Sequence, residues 1–112
     1  MARSKIERGE IWWVALDPTR GTEIRKTRPC VVLTHATLNR HRVTVVVIPL
    51  STAAKPHPPI TVPVTCEGKA VVAVIDQIRA VAKHRLKAKI EALQASDLDA
   101  VCAAVSTILE LG

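Results

Sequence analysis

Residues 43–50 read VTVVVIPL. The part from 43 to 48 is a continuous apolar run broken only by Thr44, and it is followed at once by a proline. A strand with one wet face would alternate apolar and polar side chains, and this one does not. It is too short for a stable helix, and far short of the roughly 18 apolar residues of a membrane span. The remaining reading is a central strand buried on both faces. A chain that must cover such a strand on both sides is organised around a sheet.

The neighbouring segments supply its partners. EIWWVAL (10–16) is aromatic and β-branched and stops at Asp17-Pro18. CVVLT (30–34) follows Pro29, which biases Arg28 toward extended geometry. Beyond the proline-rich KPHPP (55–59) comes ITVPV (60–64), where Pro63 points to an edge or a bulge. CEGK (66–69) makes a turn, and AVVAVIDQIRAV (70–81) starts as a second buried strand and becomes polar at Asp76.

Toward the end the period changes. In KHRLKAKI (83–90), Lys83, Arg85, Lys87 and Lys89 alternate with apolar residues, which predicts a strand with one basic face. From Ser96 the period is helical, with Leu98, Val101, Cys102, Val105, Ile108 and Leu109 on one stripe. Ser96 with Asp99 predicts a capping box, Asp97 and Asp99 suit the positive helix N-terminus, and Gly112 is expected to end the helix. The expected fold is α+β, mainly β: a small, strongly bent antiparallel sheet or barrel with a C-terminal helix packed on it. The 112 residues form one domain, 1–112, with no internal repeat.

Composition narrows the function. Apolar residues make up 48 % of the chain, so it is globular. MARSKIERGE (1–10) has no apolar core of a signal peptide, and Cys30, Cys66 and Cys102 are odd in number and widely spaced. Both features predict a reduced, cytoplasmic protein with no membrane association. Net charge is +6, while residues 96–112 hold three acids and no base, so the positive excess lies in 1–95. An anionic partner is expected, nucleic acid first and an acidic protein segment second.

Common enzymatic signatures are absent: there is no Walker loop, GxGxxG, GxSxG or HExxH. His35, His41, His57 and His84 have no ligand partner at i+3 or i+4. Asp17, Glu23 and Asp76 are isolated along the chain, so neither a metal nor another cofactor is expected. What remains is arginine, hydroxyl and amide chemistry. Arg28 stands at a strand entrance before Pro29, where a planar guanidinium can be aimed at a phosphate. Ser51 and Thr52 end one core strand; Asp76, Gln77 and Arg79 end another. These three handovers from apolar strand to polar group could converge at one rim of a small barrel.

RGEIWWVALDPTRGTEIRKTRPCVVLT (8–34) resembles the opening of the MazF/PemK-type toxin endoribonucleases, and the resemblance continues through VVVIPLST, AVIDQIRAV and the final LELG. It covers essentially the whole chain. It implies an SH3-like β-barrel with helices, a homodimer, and metal-independent cleavage of single-stranded RNA, mRNA foremost, at short sequences. It also implies neutralisation by a cognate antitoxin with an acidic, disordered tail. Arg28 matches the family's catalytic arginine, and Ser51 stands where many members have threonine or serine. Glu23 occupies the loop glutamate, and Asp76-Gln77 match a DQ pair. One branch of the family has an arginine two residues before that aspartate; here the position is Val74.

The chemistry needs little beyond these groups, because RNA brings its own nucleophile, the 2′-OH beside the scissile phosphate. The protein must hold that hydroxyl in line and compensate charge in the transition state. Arg28 would stabilise the phosphoryl oxygens and protonate the leaving 5′ oxygen; as a ground-state base a guanidinium is poor. Ser51 would donate to a phosphate oxygen. Glu23 would accept the 2′-OH proton or orient Arg28, and both remain open. Arg20, Arg25 and Lys26 would track the RNA backbone, with Thr27, Thr52, Asp76, Gln77 and Arg79 as further RNA contacts. The chain has no Phe or Tyr, and Trp12 and Trp13, being consecutive on a strand, can present only one ring outward, so base stacking is limited. A noncatalytic nucleic-acid-binding barrel and an acidic-peptide-binding module are the alternatives.

Overall fold

The computed structural model describes residues 5–16 and 27–112. In chain order the strands are β1 (Glu10–Ala15), β2 (Thr27–Val32), β3 (Thr44–Ser51), β4 (Thr61–Cys66), β5 (Lys69–Val74), β6 (Arg79–Ala82) and β7 (Leu86–Ala92). Two helices accompany them, α1 (Ala36–His41) and α2 (Ala95–Leu109). The sheet runs β4-β5-β3-β2-β1-β7, with β6 also paired to β3, and every pairing is antiparallel. It curls into a half-barrel, and α2 packs on one of its faces through Val101 and Ala104.

β3 is the hub, as its apolar run predicts. One edge pairs with β2, matching Cys30 to Pro49 and Val32 to Val47. The other edge is shared: Thr44–Val47 pair with β6, and Leu50–Ser51 pair with β5. Pro49, which has no N–H to give a ladder, stands where the partner changes. The chain between β5 and β6 leaves the sheet there as a 3-10 turn, Ile75–Gln77, pinned by the fully buried Ile75. AVVAVIDQIRAV therefore spans most of β5, the turn and the start of β6. Its polar switch at Asp76 marks the departure from the sheet.

Both faces of the central strands are buried, in different clusters. Ile11, Val31, Ile48 and Leu50 pack with Ile75 and Val101 of α2. Trp12, Val14, Cys30, Val32, Val45 and Val47 pack on the opposite face with Val81 and Leu86. Trp13 is 41 % exposed while Trp12 is buried, the division expected of consecutive strand residues.

Three expectations are corrected. KHRLKAKI is not one alternating strand: Lys83–Arg85 form a 3-10 turn and β7 begins at Leu86. Its register against β1 shifts twice, between Ile11 and Trp12 and between Trp13 and Val14, and such bulges bend the strand and break its alternation. Helix α2 starts at Ala95 after Gln94 with no side-chain cap, so Ser96 and Asp99 form no capping box. Asp97 instead accepts the backbone N–H of Thr65 at 2.9 Å, and Glu91 accepts that of Glu67 at 2.6 Å. Those carboxylates tie β4 to α2 and the β4–β5 turn to β7 with side-chain bonds where no ladder forms. Glu110, with φ 56°, ends the helix in place of Gly112. The short α1 has no counterpart among the expected elements; its buried Asn39 donates to the carbonyls of Ile6 and Thr34, both at 2.8 Å. Pro63 does lie on an edge strand, and CEGK does form the β4–β5 turn, with Glu67 and Gly68 both at positive φ.

Glu10 is a buried carboxylate that joins the first strand to the last. Its Oε1 accepts the Glu7 backbone N–H at 3.0 Å and the Trp12 indole N–H at 2.9 Å, and Lys89 Nζ lies 3.0 Å from Oε2. Burial pushes its pKa up, but the Glu7, Trp12 and Lys89 donors outweigh burial and hold it below the ordinary 4.5. A lowered folded pKa stabilises above the unfolded value, and that contribution is lost as pH falls through the folded one. Because the Lys89 side chain is about half exposed, the cost of losing Glu10 falls mainly on the stranded indole and amide donors. Glu10→Ala should destabilise by about 1–3 kcal/mol in urea unfolding at pH 7. The gap between the native chain and Glu10→Gln should close as pH falls below 4.5. A gap that persists unchanged in acid would show that Glu10 is not held ionised.

Candidate active site

The place where β3 changes partners opens into a pocket of about 450 Å³. Each of its walls follows from the sheet register. Cys30 pairs with Pro49, and continuing along both strands brings Arg28 of β2 level with Ser51 of β3. On the other edge Val74 ends β5 and Arg79 opens β6, with Gln77 in the turn between them. Arg28, Ser51, Gln77 and Arg79 all line the pocket, on an apolar bed of Leu16, Pro49, Leu50, Ala54 and Val74. Thus the three strand ends do converge.

Ser51 is oriented by the backbone that follows it. Its Oγ accepts the N–H groups of Ala53 and Ala54, both at 3.1 Å, in a turn that ends the strand. With its oxygen so occupied, what the hydroxyl offers a ligand is its O–H. Arg79 is aimed by another bond: its Nη2 donates to the Leu16 carbonyl at 3.1 Å. Beneath the pocket lies the fully buried Cys30. Burial pushes its thiol up to about 12, opposed by the positive charges of Arg79 and then Arg28. Cys30 is thus a protonated packing residue, and both guanidiniums act on it from above. Two cations, a hydroxyl donor and an amide around a small open pocket suit an anion of phosphate size better than a neutral ligand.

Several candidates stand elsewhere. Thr27, Thr52 and Asp76 are exposed and adjoin lining residues in sequence, but their side chains do not line the pocket. Arg20, Glu23, Arg25 and Lys26 lie outside the described residues. Among the described residues no three His, Cys, Asp or Glu side chains gather to hold a metal, and no helix is long and apolar enough to cross a membrane. The residues missed from sequence are the apolar bed, Leu16, Pro49, Leu50, Ala54 and Val74. In sequence they are ordinary core residues, and only the change of strand partner at Pro49 puts them beside a pocket.

A family model described as "PemK-like, MazF-like toxin of type II toxin-antitoxin system" matches residues 7–109. The chain belongs to that family. Among curated relatives it is 36 % identical to Endoribonuclease MazF9 of Mycobacterium tuberculosis, over 95 % of this chain and 98 % of that protein. A local stretch of 49 residues is 49 % identical to Endoribonuclease PemK of Escherichia coli, covering 44 % of this chain and 37 % of that protein. Among solved structures, MazF from Deinococcus radiodurans matches with a TM-score of 0.81 at 23 % identity, over 96 % of this chain and 99 % of that one. A MazE–MazF structure from the same organism matches with a TM-score of 0.78 at 20 % identity, over 97 % of this chain and 100 % of that one. The half-barrel described above is therefore the fold that this chain shares with those structures.

Proposed function

We propose that this toxin-family chain is a metal-independent endoribonuclease that cuts single-stranded RNA, mRNA foremost, at short sequences in the cytoplasm. The observation that carries the proposal is the meeting of Arg28 and Ser51 at one pocket, with Gln77 and Arg79 opposite them. It is supported by a family match spanning nearly the whole chain and by relatives named as endoribonucleases.

In this reaction the 2′-oxygen of the RNA forms a bond to phosphorus as the bond to the 5′-oxygen breaks. The 2′-OH loses one proton and the leaving oxygen gains one, giving a 2′,3′-cyclic phosphate and a 5′-hydroxyl. Arg28 stabilises the charge that grows on the phosphoryl oxygens and supplies the proton to the leaving oxygen. Ser51 donates its hydroxyl hydrogen to a phosphate oxygen, the one bond its local geometry leaves it to give. Glu23 accepts the 2′-OH proton, or orients Arg28 while water takes that proton. Gln77 and Arg79 contact the RNA at the pocket, Thr27, Thr52 and Asp76 beside it, and Arg20, Arg25 and Lys26 along the strand. A cognate antitoxin with an acidic tail would compete for the same basic surface. A homodimer completes the reading. Trp13, which faces Pro29 and Ala88 across its two ladders and is 41 % exposed, supplies apolar surface for that contact.

Sedimentation at micromolar concentration should give about twice the 12.1 kDa chain mass. A monomer that cleaves at full rate would remove the dimer from the proposal. Cleavage of single-stranded RNA should survive EDTA; activity abolished by chelation and restored by magnesium or manganese would refute the metal-free reaction. A shifted but uncut RNA would favour a binding module, and an untouched RNA a peptide-binding one. Arg28→Lys keeps the charge but loses the planar fork. It should slow cleavage at saturating RNA by at least roughly a hundredfold, while affinity for RNA with a 2′-deoxy link at the cut site changes far less. Weakened binding with saturated cleavage intact would make Arg28 a docking residue.

A further inference from the structure

The sheet register gives Arg79 a place relative to Arg28. It opens β6 opposite Val47, while Val47 on its other edge faces Val32 of β2. Arg28 and Arg79 therefore come from strands on opposite sides of β3, yet both line one pocket and both act on the Cys30 thiol beneath it. A phosphate entering between them would meet a guanidinium on each wall.

The bond from Arg79 Nη2 to the Leu16 carbonyl adds a second point. Arg85 makes a matching bond, from Nη1 to the carbonyl of Ala15 at 3.1 Å. Two successive carbonyls where β1 ends are thus each held by a guanidinium from the 79–85 segment, at the same distance of 3.1 Å. Only one of the two arginines lines the pocket, and it is Arg79. Anchoring the end of β1 and facing a ligand are separable properties, and this pair of residues separates them.

We infer that Arg79 is a second transition-state guanidinium, contacting the scissile phosphate from the wall opposite Arg28 while its Nη2 donates to the Leu16 carbonyl. The inference rests on the endoribonuclease reading and goes beyond a docking role for Arg79. When the 2′-oxygen bonds to phosphorus, negative charge grows on both non-bridging oxygens before the 5′-oxygen leaves. One fork on one wall satisfies these oxygens from a single side. A donor already oriented on the other wall adds stabilisation that appears only as the charge develops. Arg79 moves no proton: the one lost by the 2′-OH and the one gained by the 5′-oxygen pass through other groups.

The test is single-turnover cleavage of single-stranded RNA at saturating protein, with parallel binding to RNA carrying a 2′-deoxy link at the cut site. Arg79→Met should cut at least roughly a hundredfold more slowly, with affinity changed by less than about tenfold. Arg85→Met, which removes only the matching anchor, should stay within about tenfold of the native rate. Because Val74 lines the same pocket, adding Val74→Arg to Arg79→Met should recover at least about tenfold of the rate. Arg79→Lys, which keeps length and charge, serves if Arg79→Met does not fold, and should still lose tenfold or more, about 1.4 kcal/mol. Equal losses in Arg79→Met and Arg85→Met would reduce Arg79 to an anchor and overturn the inference. Weaker binding with an unchanged saturated rate would overturn it in favour of docking. A native chain that cuts no RNA overturns the ribonuclease reading and this inference with it; a cutting native chain with an equally active Arg79→Met overturns this inference alone.

Discussion

β3 has more neighbours than a strand has edges. With β2 along one side, β5 and β6 must divide the other, and the division falls at Pro49, which cannot donate to a ladder. The chain joining those two strands has to leave the sheet as it passes the division, and it does so as the turn around Asp76 and Gln77. The gap that this leaves is the pocket. Curling the sheet, placing two arginines across a cleft and burying Cys30 beneath them are consequences of that one shared strand.

A half-barrel leaves edges that must be satisfied without closing the ladder. Here the work is done by carboxylates whose partners are backbone N–H groups or a buried indole. Asp97 and Glu91 take the outward N–H groups at the end of the β4–β5 hairpin, and Glu10 ties β1 to Lys89 of β7. Asn39 does the same for the segment before β1, bonding Ile6 and Thr34, while Lys83 Nζ donates to the Asn39 carbonyl at 2.7 Å. Several acids of this basic chain are thereby committed to its framework. The exposed arginines and lysines are left to set the sign of the surface that an RNA or an acidic tail would meet.

The pocket illustrates how the proposed catalyst can be small. The turn after Ser51 aims its hydroxyl donor, and the Leu16 carbonyl is one of the groups that hold Arg79. In the proposed reaction, such preorganised donors would stabilise the charge that develops on the phosphate. The apolar bed of Pro49, Leu50 and Val74 keeps water from competing on one side.

Sequence by itself determined the strands whose apolar runs are continuous or β-branched, the helical stripe of α2, the hairpin turn at CEGK and the division of labour between Trp12 and Trp13. All of these depend on local period and local conformational preference, which the residues carry with them. It also singled out Arg28, Ser51, Gln77 and Arg79, because each sits where an apolar segment turns polar. The family resemblance of residues 8–34 was legible in the same way. Only the tertiary structure decided that these four share one pocket while Thr27, Thr52 and Asp76 stand aside, since that follows from the pairing of β3 with three strands. The same is true of the second use of Asp97, which lies in the first turn of α2 as read from sequence and also accepts the Thr65 N–H of a distant strand. Side-chain period in KHRLKAKI misled because two bulges against β1 reset the register. Register, bulges and the choice of a hydrogen-bonding partner are set by what packs alongside, and that information is not local to any segment.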